Sequence, residues 1–210
     1  MIAPPSEVRA RRRRRAEDAQ REILDAAEQL LRERPFRDVS PDDVMERTGL
    51  SRPSFYVYFR DRHDLVLQVV QRLDLELAAG AERWLGGSED PMADALAAAR
   101  GVVAVFAEHG PVFRAIADAA AYDDRVEQAY RGMIQGFIDA VAVQLRRDRR
   151  RRRLLPLDID QASHALVWMI ERYLTDVYGH GGEPDTDAVI DTVFEIFTRA
   201  VYRPEVRATS

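Results

Sequence analysis

At 210 residues with 46% hydrophobic content, the chain can bury a substantial core, as one large domain or two small ones, and global disorder is excluded. It contains no cysteine, which rules out disulfides, thiolate catalysis and Cys-based zinc sites. The net charge of −5 hides an asymmetry, because residues 1–62 carry 14 Arg against 12 acids while the remainder carries 17 Arg against 24. A basic front end on an acidic body suits contact with a polyanion at one end only.

In chain order, residues 1–15 hold two prolines and five consecutive arginines, and the expectation is a disordered basic arm that could track phosphates or a minor groove. A helix is predicted over about 17–34, with Ile23, Ala27, Leu30 and Leu31 as its apolar stripe and Pro35 ending it. Ser40, Pro41 and Asp43 have the spacing of a capped helix start, and Gly49 makes a turn. Ser51 then caps a short helix carrying Pro53 in its first turn, and Asp61 caps a longer one running to Trp84. Helices follow over 91–109 and 112–121, separated by a Gly110-Pro111 turn, and over 123–149. Asp158 and Gln161 open another, and the last covers 186–202 after a Gly179–Pro184 loop. No alternating strand pattern competes, so the class is all-α with about nine helices.

The segment from Ser40 to Leu65 is the most informative. With Phe55 pointing inward at 100° per residue, Phe59 falls on the same side, while Pro53, Ser54, Tyr56 and Val57 fall opposite and Arg52 reaches out from the start. Exposed Tyr and Val on so short a helix do little for stability. Tyr56 and Ser54 can hydrogen-bond bases or phosphates, Val57 and Pro53 can touch thymine methyls, Arg52 can pair with guanine, and Tyr58 suits a phosphate. Ser51 opens this helix. Ser40 and Arg62, at the starts of the flanking helices, are expected phosphate clamps, because backbone N–H groups there already favour an anion.

The run Ser51-Arg-Pro-Ser-Phe-Tyr-Val-Tyr-Phe59 resembles the signature of the TetR family of one-component bacterial regulators. Pro53 in place of the commoner glycine resembles the actinobacterial branch that includes the ethionamide-resistance repressor. Absence of lysine and asparagine, both with AT-rich codons, agrees with a high-GC source. The specific match spans about residues 17–72, and Arg62 stands where the family usually has lysine. The resemblance implies a homodimer on a palindromic double-stranded DNA operator, joined through a four-helix bundle of the last two long helices. Their apolar faces support this: Leu166, Met169, Ile170, Tyr173 and Val177 on one, and Val189, Ile190, Val193, Phe194, Phe197, Ala200 and Val201 on the other. It also implies a ligand pocket, for which Phe106, Phe113, Tyr130, Met133, Phe137, Trp168, Met169 and Tyr173 are candidates, with a small hydrophobic effector. The helix from Arg62 would carry the signal. Tilting it changes the separation of two reading helices that must match major grooves about 34 Å apart.

Other features carry less. Arg146–Arg153, seven arginines and Asp148, is expected to be a solvated, mobile connector. Asp160 and His164 are two potential metal ligands without a third, and no catalytic constellation stands out, so no cofactor, metal or enzyme activity is expected. The first residues lack the apolar stretch of a secretory signal, and no run of about 18 uncharged apolar residues occurs, so a cytoplasmic location without a membrane partner is expected. The expected organisation is an arm at 1–15, a helix-turn-helix DNA-binding domain at 16–62, and a ligand-binding and dimerisation domain at 63–210. The rival functions are an activator, or a helical small-molecule-binding protein without DNA binding.

Overall fold

The computed structural model describes the backbone of residues 5–87 and 89–207, and the side chains of 15–87, 89–204 and 206. Among these residues the chain is helical, with one isolated antiparallel bridge between Leu154 and Tyr202. Nine α-helices are present: α1 (Pro5–Glu33), α2 (Pro41–Glu46), α3 (Arg52–Tyr58), α4 (Arg62–Gly86), α5 (Pro91–Ala120), α6 (Asp124–Arg150), α7 (Ile159–Tyr178), α8 (Thr186–Val201) and the short α9 (Pro204–Arg207). A 3-10 turn at Phe36–Asp38 links α1 to α2.

Two sequence expectations are corrected here. The arm expected to be disordered is helical from Pro5 onward, and its first four residues lie outside the described ones. Beyond Pro5, which occupies the first helical position, the stretch holds no breaker, and alanine and arginine are among the best helix formers. Local propensity outweighs charge repulsion.

The Gly110-Pro111 turn does not form either; α5 runs through it. Gly110 is used for proximity, since a Cβ there would lie 2.5 Å from Tyr178 Cβ and 2.6 Å from its carbonyl carbon. The proline costs one backbone hydrogen bond, but the helix around it is buried on both sides: Val103, Phe106, Val112, Phe113 and Ile116 all face the core. Tertiary burial overrides a strong local stop signal.

Helix α5 lies at the centre, packed against α1, α4, α6, α7 and α8. By length and composition it could cross a bilayer, yet 44% of its apolar window is buried in the protein, and it carries Asp94 and His109 in paired, buried positions. Its closest neighbour is α4. A Cβ on Gly101 would sit 2.2 Å from the Gly80 carbonyl oxygen, and one on Gly80 would sit 2.9 Å from the Gly101 carbonyl carbon. The two backbones touch, which only a pair of glycines permits.

The core around α3 is formed by Ile23, Ala27 and Leu30 of α1, Val44 and Met45 of α2, Phe55 and Phe59, and Leu65, Val66 and Val69 of α4. The Arg146–Arg153 stretch is anchored, contrary to expectation. Arg146 pairs with Asp160, Arg147 donates to the Leu85 carbonyl at 2.9 Å, and Arg153 lies 3.2 Å from buried Asp148. The start of the run therefore ties α6 to the α7 start and the α4 end, and its last arginine folds back on α6.

The glycine contact generates a paired prediction. Gly101→Ala should destabilise the protein by about 1–3 kcal/mol or more through overpacking. Gly132→Ala, where nothing lies within 4 Å, should stabilise it by about 0.5–1 kcal/mol through helix propensity. Urea unfolding midpoints read both.

Candidate nucleic-acid interface and ligand cavity

The helix-turn-helix is held by short-range polar chemistry. Ser40 caps α2 reciprocally: its hydroxyl accepts from the Asp43 amide at 3.2 Å, while the Asp43 carboxylate accepts from the Ser40 amide at 2.8 Å and from its hydroxyl. The hydroxyl is thus consumed by the cap and is not offered to a phosphate. In the turn, Thr48 Oγ1 accepts from Leu50 N at 3.2 Å, and Gly49 N donates to Glu22 of α1 at 2.7 Å. Ser51 occupies the N-cap of α3 without making a side-chain cap; its hydroxyl pairs with that of Ser54 at 3.0 Å.

Helix α3 is two-sided, as its sequence predicts. Phe55 and Phe59 are buried with ring centroids 5.4 Å apart, whereas Tyr56 is 55% and Val57 74% exposed. Ser51, Arg52 and Pro53 are also exposed, and Ser54 and Tyr58 are half-buried. Arg52 Nε lies 2.6 Å from Asp42 of α2, so the guanidinium is held on the surface by an acid that the sequence reading did not single out. Arg62 differs from expectation: its guanidinium stacks 4.9 Å over the Phe36 ring and donates to the Arg37 carbonyl at 3.1 Å. Its side chain clips the α1–α2 connection to α4.

A single cavity opens between α4, α5, α6, α7 and α8. Its unfilled space is about 810 Å³ with the mouth included, but only about 90 Å³ has room for the centre of a water molecule, so it is a narrow slot. Leu77, Ala81 and Trp84 of α4 form one wall, Phe106 of α5 and Met133, Ile134 and Phe137 of α6 form others, and Ile170, Val193, Phe194 and Phe197 close it. Of the eight pocket candidates, Phe106, Met133 and Phe137 line it. The other five do not. Phe113 stacks behind Phe106 at 4.2 Å, Tyr130 turns its hydroxyl to Glu171, Trp168 packs edge-on to Tyr130, and Met169 and Tyr173 face outward. An apolar residue on a helix cannot announce which of several neighbours it will face.

Leu166, Val189, Val193 and Val201 are buried within the subunit itself, and Ile170, Val177, Ile190, Phe194 and Phe197 are half-buried against the same core. What α7 and α8 leave exposed is Met169, Tyr173 and Ile196. The apolar faces were wide because each helix serves its own subunit first. Asp160, read as half of a metal pair, accepts instead from Arg146.

Two polar joints connect the reading end to the cavity helices. At the α4 start, Asp61 caps the helix through Asp64 N at 2.8 Å and accepts from Arg125 of α6 at 2.9 Å. The Arg125 hydrogen bond, opposed by burial, holds the Asp61 carboxyl down to about 2. Beside it, His63 Nε2 meets Asp123 at 2.6 Å. The second joint is buried: His109 of α5 contacts Glu28 of α1 at 3.1 Å and Glu76 of α4 at 2.9 Å. Arg72 of α4 reaches Asp25 at 2.5 Å, Glu28 at 3.4 Å and Glu76 at 3.3 Å. His109 lies one turn beyond the cavity residue Phe106, placing the slot one helical turn from the contact of α5 with α1.

Comparison with known proteins places this geometry. Residues 23–69 match the family model described as bacterial regulatory proteins, tetR family, and residues 95–203 that of the transcriptional regulator EthR, C-terminal domain. The HTH-type transcriptional regulator EthR of Mycobacterium tuberculosis is 31% identical over 199 residues, covering 89% of this chain and 88% of its own. Its namesake from Mycolicibacterium smegmatis is 28% identical over 155 residues, 70% of each chain. Among solved structures, NalD, described as the secondary repressor of the MexAB-OprM multidrug efflux pump in Pseudomonas aeruginosa, has a TM-score of 0.71 at 21% identity, covering 90% of this chain and 99% of that one. A SmeT–triclosan complex has a TM-score of 0.72 at 18% identity, covering 90% and 94%. These two share the fold.

The buried joint has a pH signature. Hydrogen bonding to Glu28 raises the His109 pKa above its usual 6.5 against the opposing effect of burial, with the Glu76 and Glu108 charges adding to the rise. A raised folded value means the contribution is full below pH 6.5 and is lost as pH climbs through that value. Stability measured by urea unfolding should therefore fall over this range above pH 6.5, and His109→Gln should remove that part of the slope.

Proposed function

The chain belongs to the TetR family of bacterial transcriptional regulators, with an EthR-type C-terminal domain, and we propose that within this family it is a dimeric repressor of a palindromic operator, released when a small hydrophobic effector enters the slot between α4 and α8. The observation that carries the DNA-reading role is Tyr56 and Val57 standing in solvent on a seven-residue helix whose opposite face is fully buried. Such side chains stabilise nothing in the free protein, and they fit base edges and thymine methyls in a major groove. Arg52 leaves Asp42 for guanine or phosphate at small cost, because an exposed ion pair contributes only about 0–1 kcal/mol. Ser51, Pro53, Ser54 and Tyr58 surround these residues as secondary contacts, with the α4 N-terminus presenting the Arg62 backbone amide to a phosphate.

Met169, Tyr173 and Ile196 are the exposed apolar positions on α7 and α8, and pairing of these two helices with their copies would cover them. The functional division then falls near residue 62, with 16–62 reading DNA and 63–210 binding effector and partner. Acting on operator DNA, the protein works in the cytoplasm as a regulator and not as an enzyme.

Release follows from the two joints. A ligand that spreads the slot moves Phe106 and Phe137, and with them His109 against α1 and the α6 start against Asp61 and His63. Both movements bear on the orientation of α3. Coupling of about 1–3 kcal/mol is enough for a useful switch. NalD and the SmeT repressor of a Stenotrophomonas maltophilia efflux pump, which share this fold, support repression as the mode of action.

The Arg52→Ala/Tyr56→Ala double variant should remain folded, since both residues are exposed. It should lose about 1–3 kcal/mol of discrimination per base contact, read by gel shift on cognate against scrambled operator. Preserved discrimination would refute the reading face. Phe137→Trp, which fills the slot, should raise the effector concentration needed for operator release by about tenfold or more; fluorescence anisotropy of labelled operator measures it.

A further inference from the structure

The slot contains one polar group that no apolar ligand would use. Its walls hold only two polar side chains, Thr198 and Glu171. Thr198 spends its hydroxyl on the Phe194 carbonyl of its own helix at 2.8 Å. Glu171 is 5% exposed, on the inward face of α7 between Val167, Leu174 and Thr175. Its Oε1 accepts from the Tyr130 hydroxyl and from Thr175 Oγ1, the latter at 2.7 Å. Burial and the adjoining Glu171 charge both raise the Tyr130 pKa, so this phenol remains a donor. No arginine or histidine forms an ion pair with Glu171 among the described residues, and Oε2 has no donor among them while keeping open surface at the slot.

A carboxylate in an apolar cavity is costly unless it is paired, and hydrogen bonds to one oxygen leave the other unsatisfied. Where natural cores hold such a group, a partner usually completes it. The flanking Arg172 lies on the exposed side of α7 and does not supply one. The slot is also slender, which favours an extended chain over a bulky polycycle.

We infer that the effector of this slot is a slender lipophilic cation, whose ammonium N–H groups complete Glu171 Oε2 while its hydrocarbon lies along Phe106, Phe137 and Phe197. This rests on the slot being the effector site, and it narrows the ligand from any hydrophobic molecule to a hydrophobic amine carrying a charge at neutral pH. Charge-assisted hydrogen bonds away from water are stronger than neutral ones. Glu171 therefore confers a head-group preference on a site whose affinity otherwise comes from apolar contact.

The test uses three ligands with one chain and different heads: decylammonium, decanol and decanoate. Binding to the full-length protein is followed through the fluorescence of Trp84, which lines the slot, and operator release through anisotropy. Decylammonium should bind about tenfold or more tighter than decanol, with decanoate weakest. In Glu171→Gln, which keeps an oxygen acceptor for Tyr130 and Thr175, the preference for decylammonium over decanol should collapse. If that variant fails to fold, the wild-type ranking alone decides. Decanol binding as tightly as decylammonium, or a preference that persists in Glu171→Gln, overturns the cation inference and leaves the effector slot standing. Failure of all three ligands to bind or to release operator overturns both.

Discussion

One rigid helix has to satisfy two burials at once. The first half of α4 buries Leu65, Val66 and Val69 against the helices that present α3, and its second half buries Leu77, Ala81 and Trp84 against the ligand slot. Each fully buried side chain of this kind contributes about 1.5–3 kcal/mol, so neither half can let go cheaply. The contact of Gly80 with Gly101 fixes the crossing of α4 on α5 at backbone distance. Because packed interiors shift between discrete arrangements and do not deform smoothly, displacement of α5 or α6 has to reappear somewhere along α4. That shared wall joins the slot to the helices that carry α3.

The polar groups between the two parts are concentrated where α4 meets other helices. Glu28, Arg72, Glu76 and His109 form a cluster in which Glu28 and His109 are buried and Arg72 and Glu76 half-buried, and Glu28 Oε1 relies on Arg72 at 3.4 Å without a hydrogen bond. Such a cluster contributes little net stability beside well-packed apolar residues, but breaking one member is expensive. It therefore tolerates few geometries, which is the property required of a joint. At the C-terminal end a different network, Trp84 Nε1 to Tyr202 hydroxyl to Asp148, ties the slot's α4 wall to α6 and the α8 terminus. The slot is held at one end by this network and bears at the other on the joint that leads to DNA.

Legibility in the sequence followed the range of the forces involved. The Ser40–Asp43 box, the Asp61 and Asp158 caps of α4 and α7, and the two faces of α3 depend on neighbours within four residues, and each appears in the structure. Gly110-Pro111 failed as a stop signal because the determining contact, with Tyr178, lies far along the chain. Glu171 carried a faint signal: an acid spaced with Val167, Leu174 and Thr175 sits on an apolar helical face. Reading it as a ligand contact required knowing that Tyr130 and the slot lie opposite.

By itself the sequence determined the helical class, the caps at Ser40, Asp61 and Asp158, the buried and exposed faces of α3 and the family, because periodicity, capping and a short motif are local properties of the chain. The tertiary structure alone decided which aromatic residues line the slot, which apolar side chains of α7 and α8 stay exposed, and that one carboxylate is enclosed beside the slot. Those outcomes depend on helices meeting across long sequence separations, where the same apolar residue packs equally well against any of several neighbours until the fold selects one.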